Sequence, residues 1–234
     1  MKIIATVRTL NESKTVERFC ACYRFLADEI LIADGGSTDD TIEKASKLPR
    51  VSIRSFDERI VHQDGKTWSN PRGKHINFLI DWALEREADW IIFDDCDCVP
   101  TLALQEEGRQ ILETCSEKMV FAYRMFVMYS DRWFPQMNYP GQSLWAWRAK
   151  VPVRADEAKP EVFTMLIPYE YPTRRLMHPK SLLHYFYPDE ETIEKKLAFY
   201  KITGELGENV TPAHPSQLMG HVEPLPEWAK WRER

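Results

Sequence analysis

Hydrophobic and polar positions alternate between two periods along the first half of the chain. Lys2 to Val7 is a short apolar, partly β-branched run that reads as a strand. Thr15 to Asp28 then places apolar residues at 16, 19, 20, 23 and 26, the spacing of one helix face. Glu29 to Ala33 is a second strand, ending in Asp34-Gly35-Gly36-Ser37-Thr38. Asp39 to Leu48 follows as a helix, with Ser37 or Thr38 expected at its N-cap and acids in its first turn. Val51 to Phe56 is a third strand, and Pro71 opens a helix to Glu87 with Ile76, Leu79, Ile80, Ala83 and Leu84 on one side. Trp90 to Phe93 is a fourth strand, Thr101 caps a helix to about Cys115, and Met119 to Tyr129 reads as one long strand.

Strands and helices in this order imply an α/β fold, a mostly parallel sheet flanked by helices on both faces. From Ser130 the pattern changes. Most of the 15 prolines lie beyond residue 134, so this part is expected to be irregular. Ser143 to Ala149, Val162 to Ile167 and Ser181 to Tyr187 are short strand candidates, and Asp189 to Thr203 a helix stopped by Gly204. The expected organisation is an α/β half over 1–129, a second half of the same domain over 130–204 and a tail over 205–234.

Composition narrows the function classes. A net charge of −5 argues against a broad nucleic-acid-coating surface. No stretch approaches the roughly 18 apolar residues of a membrane span, and Met1-Lys2-Ile3-Ile4 lacks a signal-peptide layout. A cytoplasmic protein is expected, with its five cysteines reduced. Zinc at the Cys20/Cys22 and Cys96/Cys98 pairs is the alternative for the thiols, but Cys20 falls on the apolar helix face.

The chemistry concentrates in Phe93-Asp94-Asp95-Cys96-Asp97-Cys98, directly after an apolar strand. Asp95 and Asp97 are two apart and leave an extended chain on the same face. Hard oxygen ligands so placed suit Mn²⁺ or Mg²⁺, especially when a phosphate supplies further ligands. In parallel sheets ligands sit beyond the carboxyl ends of the strands, and both Asp34 and this cluster are delivered to that edge. Arg72 and Lys74, at a helix N-terminus, suit phosphate oxygens. Asp34 suits the N–H of a uracil-like base, and Asp95 a ribose hydroxyl.

Asp34-Gly35-Gly36-Ser37-Thr38-Asp39-Asp40-Thr41 resembles the D-[GS]-x-S-x-D-x-[ST] signature of glycosyltransferase family 2. The likeness continues in order through Asn11-Glu12, Arg72-Gly73-Lys74 with Asn77, and Ile92-Phe93-Asp94-Asp95-Cys96-Asp97-Cys98-Val99-Pro100, over roughly residues 1–110. Leu183-His184-Tyr185-Phe186-Tyr187, followed by Lys195, Lys196 and Tyr200, is similar to the ending of the lipopolysaccharide-core glucosyltransferase branch. The resemblance implies a GT-A fold in which Thr6, Arg8, Glu12, Asp34, Arg72, Lys74 and Asp95 surround a nucleotide sugar, a UDP-sugar being favoured. It further implies Asp95, Asp97 and His184 as metal ligands, and a mostly inverting reaction with an acidic general base. Glu161 sits at the family's distance before His184, with Glu157 and Glu170 as rivals and Asp156 as a further acid; the family's H-E pair is absent. A glycan, another hydroxyl compound or a modified DNA base stands open as acceptor.

Two other classes compete. A nucleotidyltransferase joins the same kind of sheet to a nucleotide and Mg²⁺, but its Gly-rich loop after strand one has no counterpart in Thr9 to Lys14. A non-catalytic sugar-nucleotide or glycan-binding module has no need of the Asp95/Asp97 pair. The aromatic stretch Trp133 to Trp147 reads either as a stacking platform or as core.

Overall fold

The computed structural model describes residues 1–62, 64–122, 125–129, 132–133, 143–158, 165–168, 170–176, 180–187, 191, 192, 194, 195, 198, 223 and 224. In chain order the first elements are β1 (Ile3–Thr9), α1 (Val16–Tyr23), β2 (Glu29–Asp34), α2 (Thr41–Ser46) and β3 (Val51–Ser55). A small hairpin of β4 (Ile60–Val61) and β5 (Trp68–Ser69) leads into α3 (Arg72–Glu85), β6 (Trp90–Phe93), β7 (Cys98–Pro100) and α4 (Leu102–Thr114). The later strands are β8 (Met119–Ala122), β9 (Met125–Tyr129), β10 (Arg132–Trp133), β11 (Ser143–Arg148), β12 (Arg154–Ala155), β13 (Met165–Leu166), β14 (Thr173–Leu176), β15 (Leu182–Tyr187) and β16 (Glu223–Pro224).

A seven-stranded sheet in the order β14-β8-β11-β6-β1-β2-β3 forms the centre. Its β6-β1-β2-β3 section is parallel, as is the β14-β8 pair, while β11 runs antiparallel to both neighbours. The period-2 alternation divides each central strand between two cores. Ile3, Ala5, Val7, Ile30, Ile32, Trp90 and Ile92 pack with Phe19 and Tyr23 of α1 and Leu104 and Leu112 of α4. Ile4, Leu31, Ala33, Ile91 and Phe93 pack on the opposite face with Ile76, Leu79, Ile80 and Ala83 of α3. Burial on both faces is why these strands read as continuous apolar runs.

The expected long strand over 119–129 is two strands. β8 belongs to the central sheet, whereas β9 joins a second sheet in the order β16-β10-β9-β15-β7. The apolar pattern runs through both because each segment pairs within a sheet, and period alone carries no sign of a change of sheet. Within 162–167 only Met165–Leu166 is a described strand, and of 189–203 the described residues 191, 192, 194, 195 and 198 are helical. The tail after 204 lies outside the described residues except β16. Trp145 and Trp147 are fully buried, one in each core, so this end of the aromatic stretch is core; 134–142 lies outside the described residues. All five cysteines are free and buried. Among the described residues no helix is long and apolar enough to cross a membrane.

Candidate functional site

Two turns meet at the carboxyl edge of the parallel strands. The first follows β2 and is held from within. Asp34 is buried and accepts from Thr9 Oγ1 at 2.9 Å, from the Gly36 and Ser37 backbone N–H groups at 2.9 and 2.8 Å, and from the Ser37 hydroxyl. Four donors use the roughly four lone-pair positions of a carboxylate. Asn11, in the left-handed region at φ 58°, accepts from Thr38 N–H at 2.8 Å, and its own N–H donates to Ser37 Oγ at 2.8 Å. Glu12 N–H donates to Thr41 Oγ1 at 2.7 Å and Ser13 N–H to Asp39 Oδ2 at 3.1 Å. The Asn11-Glu12 loop and the Asp34–Thr41 turn are thus one hydrogen-bonded clasp. This corrects the expected cap of α2: the N-cap position is Asp40, which makes no side-chain cap bond, Ser37 and Thr38 are taken by Asp34 and Asn11, and Asp39, before the cap, accepts from Thr41 N–H at 3.0 Å.

The glycines in this turn answer to close approach. A Cβ on Gly35 would fall 1.8 Å from Asn70 Oδ1, whose buried amide donates to the Gly35 and Glu58 carbonyls. Gly36 has φ +96°, and a Cβ there would meet Arg59 at 2.7 Å. Arg59 lies 3.9 Å over the Trp68 ring, so the β4–β5 hairpin closes against the turn. Beneath it, the buried His75 donates from Nε2 to the Ala33 carbonyl at 2.8 Å and stacks on Phe56 at 4.3 Å. Burial first, then the nearby Arg8 charge, pushes the His75 imidazole down to about 4, so it is neutral.

The second turn follows β6 and separates its three aspartates. Asp94 turns inward, where the buried Tyr23 hydroxyl donates to its Oδ2 at 2.5 Å. Burial, reinforced by the Asp95 charge, pushes the Asp94 carboxyl up to about 7. Tyr23 was not foreseen as part of the site; its place on the apolar face of α1 was the available signal, and that face meets the turn. Asp95 turns outward and takes a salt bridge from Arg8 Nη2 at 2.8 Å. Burial opposes the Arg8 charge, but Asp95, then Glu12 and Asp97, hold its guanidinium above the ordinary range.

Asp97 meets His184. After the turn the chain leaves the central sheet as β7, and β15 lies antiparallel against it with His184 opposite Cys98. This register places His184 Nε2 3.4 Å from Asp97 Oδ2, with the two side chains only 18% and 13% exposed. The Cys98 sulfur completes a cluster whose ligand atoms all lie within 4.8 Å of one another. Burial, with Asp94, Asp97 and Asp95 adding to it, pushes the Cys98 thiol well up in the absence of a cation. Beside that soft sulfur, the cluster offers one carboxylate and one imidazole. The oxygen suits Mn²⁺ and Mg²⁺, the imidazole leans toward a transition ion, and the pair fits Mn²⁺ well.

The other expected residues divide. Thr6 is fully buried and its hydroxyl donates to the Ile92 carbonyl at 2.9 Å, so it ties β1 to β6 and offers a nucleotide no surface. Glu12 belongs to the clasp, accepting from Thr15 Oγ1. Arg72 opens α3 and is half-buried. Lys74 is exposed and paired with Glu58 at 2.7 Å. Glu157 accepts from Asn77 Nδ2 at 2.6 Å, and its Cα lies 3.0 Å from where a Cβ on Gly73 would be, so it flanks the first turns of α3 near the site edge. Glu170 is corrected: Lys118 N–H bonds the Pro172 carbonyl at 3.1 Å and Thr173 opposes Met119, which puts Glu170 at the amino end of the strands, away from both turns. Glu161 lies outside the described residues.

No family model matches the chain. A curated protein of Rickettsia conorii, described as an uncharacterized glycosyltransferase, is 28% identical over 142 residues, covering 59% of this chain and 45% of that protein. The chain therefore spans less than half the length of this curated relative. The solved structure of S. aureus TarS residues 1–349 in complex with UDP-GlcNAc is similar over 94% of this chain and 70% of that one, at 15% identity and a TM-score of 0.54. The S. aureus TarS structure without that restriction gives 16% identity and a TM-score of 0.53, over 94% of this chain and 42% of that one. The fold is that of GT-A glycosyltransferases, as the motif resemblance implied.

Proposed function

We propose that this chain is a glycosyltransferase that moves a sugar from a UDP-sugar to an acceptor hydroxyl, with Mn²⁺ or Mg²⁺ held by Asp97 and His184. The observation that carries the reading is the Asp97–His184 pair, which joins the turn between β6 and β7 to β15 at the edge where the Asp34 clasp and the Arg8–Asp95 pair converge. Two comparisons support it: the R. conorii relative carries a glycosyltransferase description, and TarS, of the same fold, binds UDP-GlcNAc. When bound, the ion supplies a Lewis acid that offsets charge developing on the diphosphate leaving group.

The protein's own residues do the rest. The clasped turn gives the nucleoside a rigid shelf, and Asp95, oriented by Arg8, accepts from a ribose hydroxyl. Arg72 and Lys74 meet phosphate oxygens at the start of α3. An acid takes the proton of the acceptor hydroxyl as its oxygen attacks the anomeric carbon and the diphosphate departs, inverting that centre. Glu161 is our candidate for this base, with Glu157 as the rival on the site edge. The setting is cytoplasmic, and the acceptor is a glycan, another hydroxyl compound or a modified DNA base.

Calorimetric titration with UDP, with and without Mn²⁺, tests the donor site. Saturable binding that tightens with Mn²⁺ is expected, followed by release of UDP from UDP-GlcNAc or UDP-glucose. Absence of UDP binding under both conditions overturns the proposal. Binding without any turnover, with acceptors of all three kinds supplied, reassigns the chain as a sugar-nucleotide-binding module.

A further inference from the structure

The opposite end of the central sheet, where the parallel strands begin, carries a surface of the other sign. A cavity of about 330 Å³ opens there, lined by Asp89, Ser116, Lys118, Arg148, Lys150 and Tyr171 among others. The sheet register explains the convergence. Arg148 opposes Trp90, Trp147 opposes Met119, and Thr173 opposes Met119 from the far side. Lys118, Arg148 and Tyr171 therefore stand at neighbouring strand ends, and Lys150 follows two residues after Arg148. The four residues of β6 separate this cavity from the acidic turn, roughly 13 Å at about 3.3 Å per residue.

Two of the three cations are held by aromatic faces. The Arg148 guanidinium lies 4.3 Å over the Trp90 ring and donates from Nη2 to the Cys115 carbonyl at 3.0 Å; the Lys118 ammonium lies 5.0 Å over the Tyr171 ring. Among the described residues none of the three has a carboxylate partner. Asp89, the acid of the lining, faces the N-terminal ammonium at 3.8 Å and accepts from Lys2 N–H at 2.7 Å. Glu117, beside Ser116, accepts from the Ser116 hydroxyl at 3.1 Å and from the Cys115 thiol at 3.3 Å. In a chain of net charge −5, three cations gathered at one cavity whose single lining acid is engaged elsewhere repel one another and attract an anion.

The geometry points to an anion-binding site that takes a phosphate group. A fixed guanidinium supplies a forked donor, two ammonium groups supply point charges, and the Ser116 and Tyr171 hydroxyls complete an oxygen-binding set. The volume stands at the low end of small-molecule sites and holds more than one phosphate, so the group arrives either as the free ion or as part of a phosphate chain. The inference does not rest on the donor site at the other edge.

Titration of the metal-free protein with inorganic phosphate, and separately with tripolyphosphate, at low ionic strength tests it. Saturable binding is expected, weakened about tenfold or more in the Lys118→Ala/Lys150→Ala double variant and in Lys150→Glu. Both lysines are exposed, so the urea midpoint of the ligand-free protein should hold, and Mn²⁺-dependent UDP binding should be retained. Tighter binding of tripolyphosphate identifies a phosphate chain as the ligand; equal affinity identifies the free anion. No saturable binding of either probe by the wild type, or wild-type affinity in both variants, overturns the assignment.

Discussion

The turn after β2 and the turn after β6 both end a buried strand in aspartate, yet they spend their carboxylates differently. Asp34 gives its oxygens to Thr9, Gly36 and Ser37, so its charge is consumed in fixing a shape. The second turn divides its acids among three fates: Asp94 under Tyr23, Asp95 to Arg8, and Asp97 beside a histidine of the distant strand β15. Two acidic motifs that look equivalent in sequence are therefore a scaffold and, in the function we propose, a ligand set. The difference teaches that an acid at a strand end is read by its donors, since a carboxylate that already accepts four hydrogen bonds has little left to offer a ligand.

Truncating each acid separates the two. Asp34→Ala should cost about 3–4 kcal/mol in urea unfolding, because two backbone N–H groups and two hydroxyls lose a charged acceptor at once. A near-neutral stability change would break the comparison from the scaffold side. Acid should undermine the same turn from below. The His75 imidazole sits at about 4 when folded against roughly 6.5 unfolded, so folding favours its neutral form. That stability is complete above pH 6.5 and is lost as pH falls through 6.5 toward 4, on the order of 3 kcal/mol. Urea midpoints of the wild type and His75→Gln, compared from pH 7 to 4.5, should therefore draw together; a constant gap contradicts this.

Asp97→Asn should do the reverse of Asp34→Ala. Removing a metal-facing charge should cut sugar transfer by about 10²-fold, or about 2.7 kcal/mol, while leaving the unfolding midpoint nearly in place. Loss of stability without loss of Mn²⁺-dependent UDP binding would make Asp97 a second scaffold acid and dissolve the distinction.

How much of this was legible follows from how far each feature reaches along the chain. Trp90–Phe93 is a strand with the bounds its apolar run predicts, and the expected Pro71–Glu87 helix is observed as Arg72–Glu85, since local period determines both. His184 stood out as a histidine in an apolar strand, but its meeting with Asp97 depends on β15 pairing with β7, 87 positions away, and periodicity carries no pairing information. Thr6 sits where the resemblance implied a nucleoside contact, yet it is fully buried and its hydroxyl donates to the Ile92 carbonyl. The basic cavity left no motif, because Lys118, Arg148 and Lys150 are ordinary strand-end residues that only the sheet order assembles. The tie between Asn11 and Ser37-Thr38 was equally invisible, being contact between two loops that sequence reads separately.

The smallest effect concerns Lys74, which lies between the two kinds of residue. It stands at the start of α3, where a diphosphate would be met, but its ammonium is paired with Glu58 and exposed. An exposed pair of this kind contributes little and is screened by salt, so Lys74 exchanges readily between Glu58 and a phosphate. Glu58→Gln should therefore strengthen UDP binding by roughly two- to threefold at low salt, and Lys74→Ala should weaken it by a similar factor. Both changes should shrink at high salt, because the Debye length falls to about 3 Å at 1 M. If Glu58→Gln instead weakens UDP binding, the pair acts as a fixed strut like the Asp34 turn, and Arg72 is left as the cation of this helix start that meets the phosphates.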